Sequence, residues 1–398
     1  MKIATSVVCI ALAASVTGMV PWSSVSAQPA AGEHSGGVAP VFLMNRGAVF
    51  SEDEIVATAL GASLSELITA IFRGEITDRH ISESDRARHS FFLDALRKLR
   101  LKTDRPSVVP MVLRSFSPDG DETFLVTVAF MTQRDTGTQI EKIIEFHAYP
   151  HDHGYRFRSP FEYRTRRLSP VAMGDVRFYF AGDPDVARAR EFASFKREFE
   201  ARSGNAARDL DYYCFETLDE LLGAYGLVYD CARCNWLKED LGFMDDGGRR
   251  FLTGTGNERF VFEFVVDYMR QFCNDEGDLY WPFVYGIAAY YGGYGLGGDD
   301  LAELKAQFRQ ALRKRPHIDF LAEYRKERGS SIQRHFTHFV ICAFLCEKAL
   351  AQHGFDGVMQ LAHAGESGER FMLTLDRLLG VNEANFHATV VELIQEMG

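Results

Sequence analysis

The sequence has no basic stripe, no internal repeat, no cysteine between positions 9 and 214, and no long apolar run beyond its first residues. Each absence narrows the field. Acidic and basic residues are interspersed and the net charge is −11, so the cationic footprint of a nucleic-acid binder is missing. An acidic surface of this kind favours solubility and is silent on fold. No stretch after the N-terminal residues is expected to cross a bilayer, so no membrane span is expected in the mature chain. The lack of a fixed period excludes solenoids and other repeat arrays. There is no Gly-x-Ser-x-Gly elbow, and no cysteine has an evident histidine partner, so no serine or cysteine nucleophile is marked. The pattern His-Glu-x-x-His, which points two imidazoles at one zinc ion, is also absent.

What the first residues do contain is the layout of a secretory signal. Lys2 precedes an apolar core from Ile3 to Val16, and Val25-Ser26-Ala27 supplies small residues before a cleavage point. Residues 1–27 are therefore expected to be removed and the mature protein exported, periplasmic or extracellular. The apolar run is short and rich in Ser, Thr and Gly, unlike an anchor, and Cys9 has no lipobox-like Leu-Ala-Gly before it. Export changes the cysteine arithmetic. Cys9 leaves with the signal, and Cys214, Cys231, Cys234, Cys273, Cys342 and Cys346 remain. An even set in an oxidising compartment favours disulfides, with Cys273 expected to fix the end of its helix. The alternative is a four-cysteine zinc site built from Cys231, Cys234, Cys342 and Cys346; exported thiols more often oxidise than hold structural zinc.

The remaining chain, 46% hydrophobic over 398 residues in all, is long enough for more than one core. Residues 28–48 are small and polar with several Gly and Pro, and are expected to form a linker. Residues 49–170 are expected to form an N-terminal α+β domain. Ser51 with Glu54 has the form of a capping box, and Ile55, Leu60, Leu64, Leu67, Ile68 and Ile71 recur at helical spacing. A second helix is expected from Ser84 to Arg100. From 107 to 167 the period becomes two, with turns at Pro118-Asp119-Gly120, Asp135-Thr136-Gly137 and Pro150 to Gly154, which predicts an antiparallel meander. Helices followed by such a meander resemble the cystatin-like domains, including the nuclear-transport-factor type, and a domain of that sort binds or positions. His147, His151 and His153 fall at a strand end and in a turn with no acid or cysteine placed to complete a metal site, so a solvated turn is expected.

Residues 171–398 are expected to form a second domain. Strands are predicted at Val176–Phe180, Leu210–Phe215, Leu227–Tyr229 and Phe251–Thr253, with a helix capped by Asp183-Pro184 and a long loop from Asp230 to Gly248. The chain after Asn257 is predicted helical to its end, with Gly354, Gly365 and Gly380 as C-caps. The focus is Asn257 to Gly293, read as two helices joined by a polar loop. The first carries Phe262-Glu263-x-x-Val266. Eighteen residues later the second carries Tyr285-Gly286-x-Ala288-x-Tyr290, after the aromatic run Trp281-Pro282-Phe283.

That frame resembles the gluzincin, or peptidase MA-like, metallopeptidase domain over residues 175–398. The family pattern is His-Glu-x-x-His, a spacer of about this length, then a third-ligand Glu opening Glu-Gly-x-Ala. The resemblance implies a thermolysin-like mixed strand and helix domain ending in a helical bundle. It places the three metal ligands at Phe262, Val266 and Tyr285 and the general base at Glu263. Phe and Val cannot bind zinc and a lone Tyr is a poor site, so no metal and no cofactor is expected, and Glu263 loses its family role. No residue is therefore assigned as catalytic. The implied protein is a catalytically inactive, exported binding module for a peptide or another exported protein. Two alternatives stand beside it. One is an active hydrolase with unusual ligands, such as His335 or His338 with Glu263. The other is a structural partner in envelope assembly. Glu263 and Asp267, one turn apart, are expected to be a solvated acidic face, since Ca²⁺ needs many more oxygens. Gly293-x-Gly295-x-Gly297-Gly298 follows a helix and not a strand, so it is expected to be a loop.

Overall fold

The computed structural model describes residues 43–44, 53–100, 108–134, 137–152, 154–231, 242–274, 278–293, 300–326 and 337–396. The expected signal segment, most of the expected linker, His153, Cys234, Gly295, Gly297, Gly298 and His335 lie outside the described residues. The protein is α+β, in two units interleaved in sequence. The first comprises Met1–Arg86, Phe92–Pro160 and Gly226–Ala232; the second comprises Ala87–Phe91, Phe161–Tyr225 and Arg233–Gly398. This differs from the single division expected at residue 170, for a reason that lies in one short strand described below.

The first unit opens with β1 (Leu43–Met44), which pairs in parallel with Met111 and Val112, so this part of the expected linker is a strand. Helix α1 (Glu54–Arg73) is capped by Asp53, whose carboxylate accepts from the Ile55 and Val56 N–H groups, and stops at the left-handed Gly74. Asp53 thus takes the role expected of Ser51. Leu60, Leu64, Leu67, Ile68 and Ile71 form its buried stripe. By length and composition α1 is the one helix among the described residues that could cross a membrane, which corrects the expectation that no stretch after the N-terminal residues is long and apolar enough. Its apolar face is occupied within the unit, where Tyr155 N–H donates to Ser63 Oγ at 3.0 Å. The single helix expected from Ser84 is two, α2 (Glu83–Arg88) and α3 (Ser90–Arg100), broken at His89. The meander follows as expected: β2 (Val108–Phe116), β3 (Phe124–Arg134), β4 (Gly137–His151) and β5 (Gly154–Arg158), each antiparallel to the next. Strand β3 is covered on both faces, since every side chain from Phe124 to Thr132 is buried.

The second unit begins with α4 (Phe161–Thr165), β6 (Pro170–Met173), β7 (Val176–Phe180), α5 (Val186–Arg202), β8 (Leu210–Cys214) and α6 (Leu218–Ala224). The N-cap of α5 is Asp185, one residue beyond the expected Asp-Pro pair. Strand β9 (Leu227–Asp230) then pairs with β4 of the first sheet, Lys142 opposite Asp230 and Ile144 opposite Leu227. Long β4 gives one part of its edge to β9 and the other to β5. Gly226 makes the entry: its φ is +84° and a Cβ there would lie 2.2 Å from the Glu145 carbonyl oxygen. This strand is why the units interleave.

The stretch expected as a loop up to Gly248 contains β10 (Gly242–Asp245) and a 3-10 turn at Asp246–Gly248, before β11 (Arg250–Thr253). The second sheet runs β10-β11-β8-β7-β6, its three central strands parallel and both outer ones antiparallel to their neighbours. Helices follow: α7 (Val261–Phe272), α8 (Trp281–Gly292), α9 (Leu301–Lys314), α10 (Phe320–Tyr324), α11 (Thr337–Ala362), α12 (Gly368–Leu379) and α13 (Phe386–Gln395). Of the expected C-caps, Gly380 closes α12, while Gly354 is a kink inside α11. A Cβ on Gly286 of α8 would lie 2.3 Å from Cys342 Cβ of α11. Glycine therefore lets these two apolar helices approach closely at the centre of the core.

Candidate functional site

The site is assembled on α7 and α8, with β10 and α11 at its borders. A Cβ on Gly242 of β10 would touch the Phe260 ring and come within 3.3 Å of Glu263 Cβ, and one on Gly292 of α8 would lie 2.4 Å from Phe262 N. Two glycines thus bring an edge strand and a second helix against the first turn of α7. Phe262 and Tyr285 stack with ring centroids 6.2 Å apart and planes at 27°. Tyr285 stacks in turn on Phe339 of α11 at 4.5 Å and meets Trp281 at 6.4 Å. Val266 is buried in the same apolar cluster, against which Phe262 and Tyr285 pack. All three positions singled out by the sequence frame therefore contribute to one aromatic and aliphatic wall.

Glu263 stands beside that wall. Burial, reinforced by the charge of Asp267 and only partly offset by Arg270, pushes its carboxyl up to about 7. Asp267 is also raised by burial, against the Met244 N–H and Arg270, which lower it. Its Oδ2 accepts from Met244 N–H of β10 at 2.7 Å, and its other oxygen pairs with Arg270. The solvated face expected for this acid pair is corrected here, because β10 covers Asp267 and leaves it 5% exposed. Arg270 lies over the Trp281 ring at 5.4 Å. Tyr285 is raised by burial, with Arg270 lowering it and Glu263 and Asp267 raising it further. The constellation is a proton-holding acid next to an aromatic face. Among the described residues, no three His, Cys, Asp or Glu side chains are grouped so as to hold a metal ion.

The other candidates are dispersed. Cys214, Cys231, Cys273, Cys342 and Cys346 all carry thiols, so the disulfides expected of them are not formed among the described residues. Two of them, Cys342 and Cys346, are one turn apart within the packed interior of α11, where burial raises both thiols. Burial likewise pushes Cys214 on β8 up to about 12. Cys231 belongs to the first unit and its Sγ accepts from Gln139 at 3.1 Å. Cys273 lines a polar cavity of about 370 Å³ with Asn205 and the pair His363–Asp278, whose atoms are 2.9 Å apart. His338 packs on the Phe339 ring at 4.1 Å. His147 is buried, with Nδ1 at 3.3 Å from Arg158 Nε, and His151 pairs with Asp152.

One polar cluster escaped the sequence reading. His89, 1% exposed, has Nε2 3.0 Å from Glu162 Oε2, and Arg250 lies 3.3 Å from the other oxygen while covering the Phe161 ring at 4.6 Å. Asp245 accepts from Ser90 N–H at 2.9 Å, from Ser90 Oγ at 2.7 Å and from Tyr225 OH at 2.5 Å. Burial raises Glu162, but His89 and Arg250 outweigh it and hold the carboxyl at about 2. The cluster anchors Ala87–Phe91 in the second unit, which is a structural task. No local sequence signal marked it, since one unbroken helix was expected across His89. Comparison with protein-family models, curated proteins and solved structures yields no match for this chain.

Proposed function

We propose that the second unit is a gluzincin-like scaffold that has exchanged metal chemistry for binding, and that the exported protein holds peptide or protein segments without cleaving them. The stack of Phe262 on Tyr285 carries this reading. These are the positions at which the resemblance puts the first and third zinc ligands, and rings in contact there fill the space an ion and its water would need. The mixed sheet with an antiparallel edge strand, followed by α7 and α8, supports the thermolysin-like half of the reading. The helix-backed antiparallel meander supports a cystatin-like first unit that positions a ligand. Glu263 keeps the place of a general base with no activated water to serve.

Zinc content and reconstruction test it together. Purified protein reloaded with zinc and desalted is expected to retain no stoichiometric metal. The triple variant Phe262→His, Val266→His, Tyr285→Glu is expected to retain it, because the backbone frame would then present a complete ligand set. Stoichiometric zinc on the wild type, lost in Glu263→Gln along with chelator-sensitive hydrolysis, would instead establish the active-hydrolase alternative.

A further inference from the structure

A groove of about 720 Å³ opens in the second unit between the start of α8, the ends of α10 and α11 nearest it, and one face of α12. Its volume is that of a ligand site. Helix α12 turns one apolar face to the core. Phe371, Leu375 and Leu379 are buried in the core. Leu373 lies on the opposite side, at the groove, and is 70% exposed, while Met372, half-buried against the core, also lines the groove. Glu369 and Asp376 stand one turn before and one turn after this pair, on the same face. Beneath it lie Pro282 and the buried pair Tyr280 and Tyr324, whose hydroxyls are 2.8 Å apart and bond each other.

The charge around this apolar strip is one-sided. Four carboxylates line the groove, Glu366, Glu369, Asp376 and Glu383, against Arg325 and Lys326. Both cations are already engaged, Arg325 with Glu383 and Lys326 with Glu323. Among the described residues no basic side chain pairs with Glu366, Glu369 or Asp376. An exposed leucine between carboxylates that lack counter-ions is a surface shaped for an occupant with the opposite pattern.

We propose that this groove, and not the filled cleft at Phe262 and Tyr285, is where the chain binds, and that its occupant is a peptide segment with apolar side chains flanked by lysine or arginine. The inference rests on the binding role proposed above and fixes its place and its partner's chemistry. Leucine and methionine would take the apolar side chains, and the three carboxylates would take the cations.

Fluorescence anisotropy with two labelled peptides tests it, one with a pair of leucines between lysines and one with glutamates in place of the lysines. The wild type is expected to bind the lysine peptide at least about tenfold more tightly, with affinity falling as salt rises. The exposed-site variant Leu373→Glu is expected to weaken it about tenfold or more. The triple variant Glu366→Lys, Glu369→Lys, Asp376→Lys is expected to reverse the preference. Preference for the glutamate peptide, or lysine-peptide binding that survives the groove variants, would overturn the inference while leaving a binding role intact. If neither peptide binds the wild type, both the groove and the peptide-binding role fall.

Discussion

Glu162 and Glu263 are the same side chain in the same unit, both partly buried, and their carboxyl groups move in opposite directions. Burial raises each of them. At Glu162 the neighbours His89 and Arg250 more than cancel that effect, and the group ends at about 2. At Glu263 the nearest charge is another acid, Asp267, the offset from Arg270 is partial, and the group ends at about 7. The difference lies in where cations are placed. A carboxylate held by His89 and the Arg250 guanidinium, from two other segments, is a fixed point of the fold. A carboxyl held near neutrality beside an aromatic wall has only one partial offset, from Arg270, against burial and a neighbouring acid.

The largest effect is expected from breaking the first of these. Arg250→Met keeps the bulk over the Phe161 ring and removes the charge. It leaves Glu162 with His89 alone and should cost about 2–4 kcal/mol in urea unfolding at pH 7, less than for a fully buried pair because 34% of the Glu162 side chain is exposed and screened by solvent. The acid limb gives a second reading of the same cluster. The folded value of Glu162 is depressed from 4.5 to about 2, so its contribution is complete above 4.5 and is lost as pH falls toward 2. The variant should show a shallower acid limb than the wild type. An unchanged midpoint and an unchanged limb would make the cluster incidental and dissolve the contrast.

The sequence exposes these two sites unequally, and the reason is distance along the chain. Phe262, Glu263, Val266 and Tyr285 were found because α7 and α8 are consecutive, so one spacing encodes their meeting. His89, Glu162 and Arg250 come from three remote segments, and no local pattern joins them. The same limit applies to strands. β7, β8 and β11 are bounded by Gly, Pro and Asp and were legible. β10 is four residues in a polar stretch, and it takes its identity from β11 beside it. β9 was legible as a strand, but its allegiance to β4 is a pairing choice that its residues do not spell out. The disulfide expectation followed from compartment and parity, and Cys342 and Cys346 instead lie in an apolar helix interior where small thiols pack as hydrophobic side chains.

The second glutamate should respond with the opposite sign. Its folded value, about 7, lies above the ordinary 4.5. The native state therefore keeps a proton that the unfolded chain has lost between these values. Its contribution is complete below 4.5 and is lost as pH rises through 7, above which a charge is held in a dry site. Glu263→Gln is neutral throughout. It should match the wild type at pH 4 and exceed it by about 1–3 kcal/mol at pH 8, read from unfolding midpoints at the two values. A variant less stable than wild type at pH 8 would mean that the ionised carboxylate has a stabilising partner, and Glu263 would then belong with Glu162.

The smallest effect separates the two sites most finely. Arg270 is half exposed, with 52% of its side chain accessible, and it pulls Glu263, Asp267 and Tyr285 downward together. Solvent screens a charge so placed, so Arg270→Gln should alter stability by less than about 1 kcal/mol. It should nevertheless move the Glu263 titration above about 7, followed by carbon NMR of labelled glutamate, because the one cation offsetting Asp267 has gone. Glu162 has its own partners in His89 and Arg250 and should not move in the same titration. If both groups shifted together, one long-range field would govern them, and the local placement of cations would no longer explain why one acid is locked and the other holds its proton.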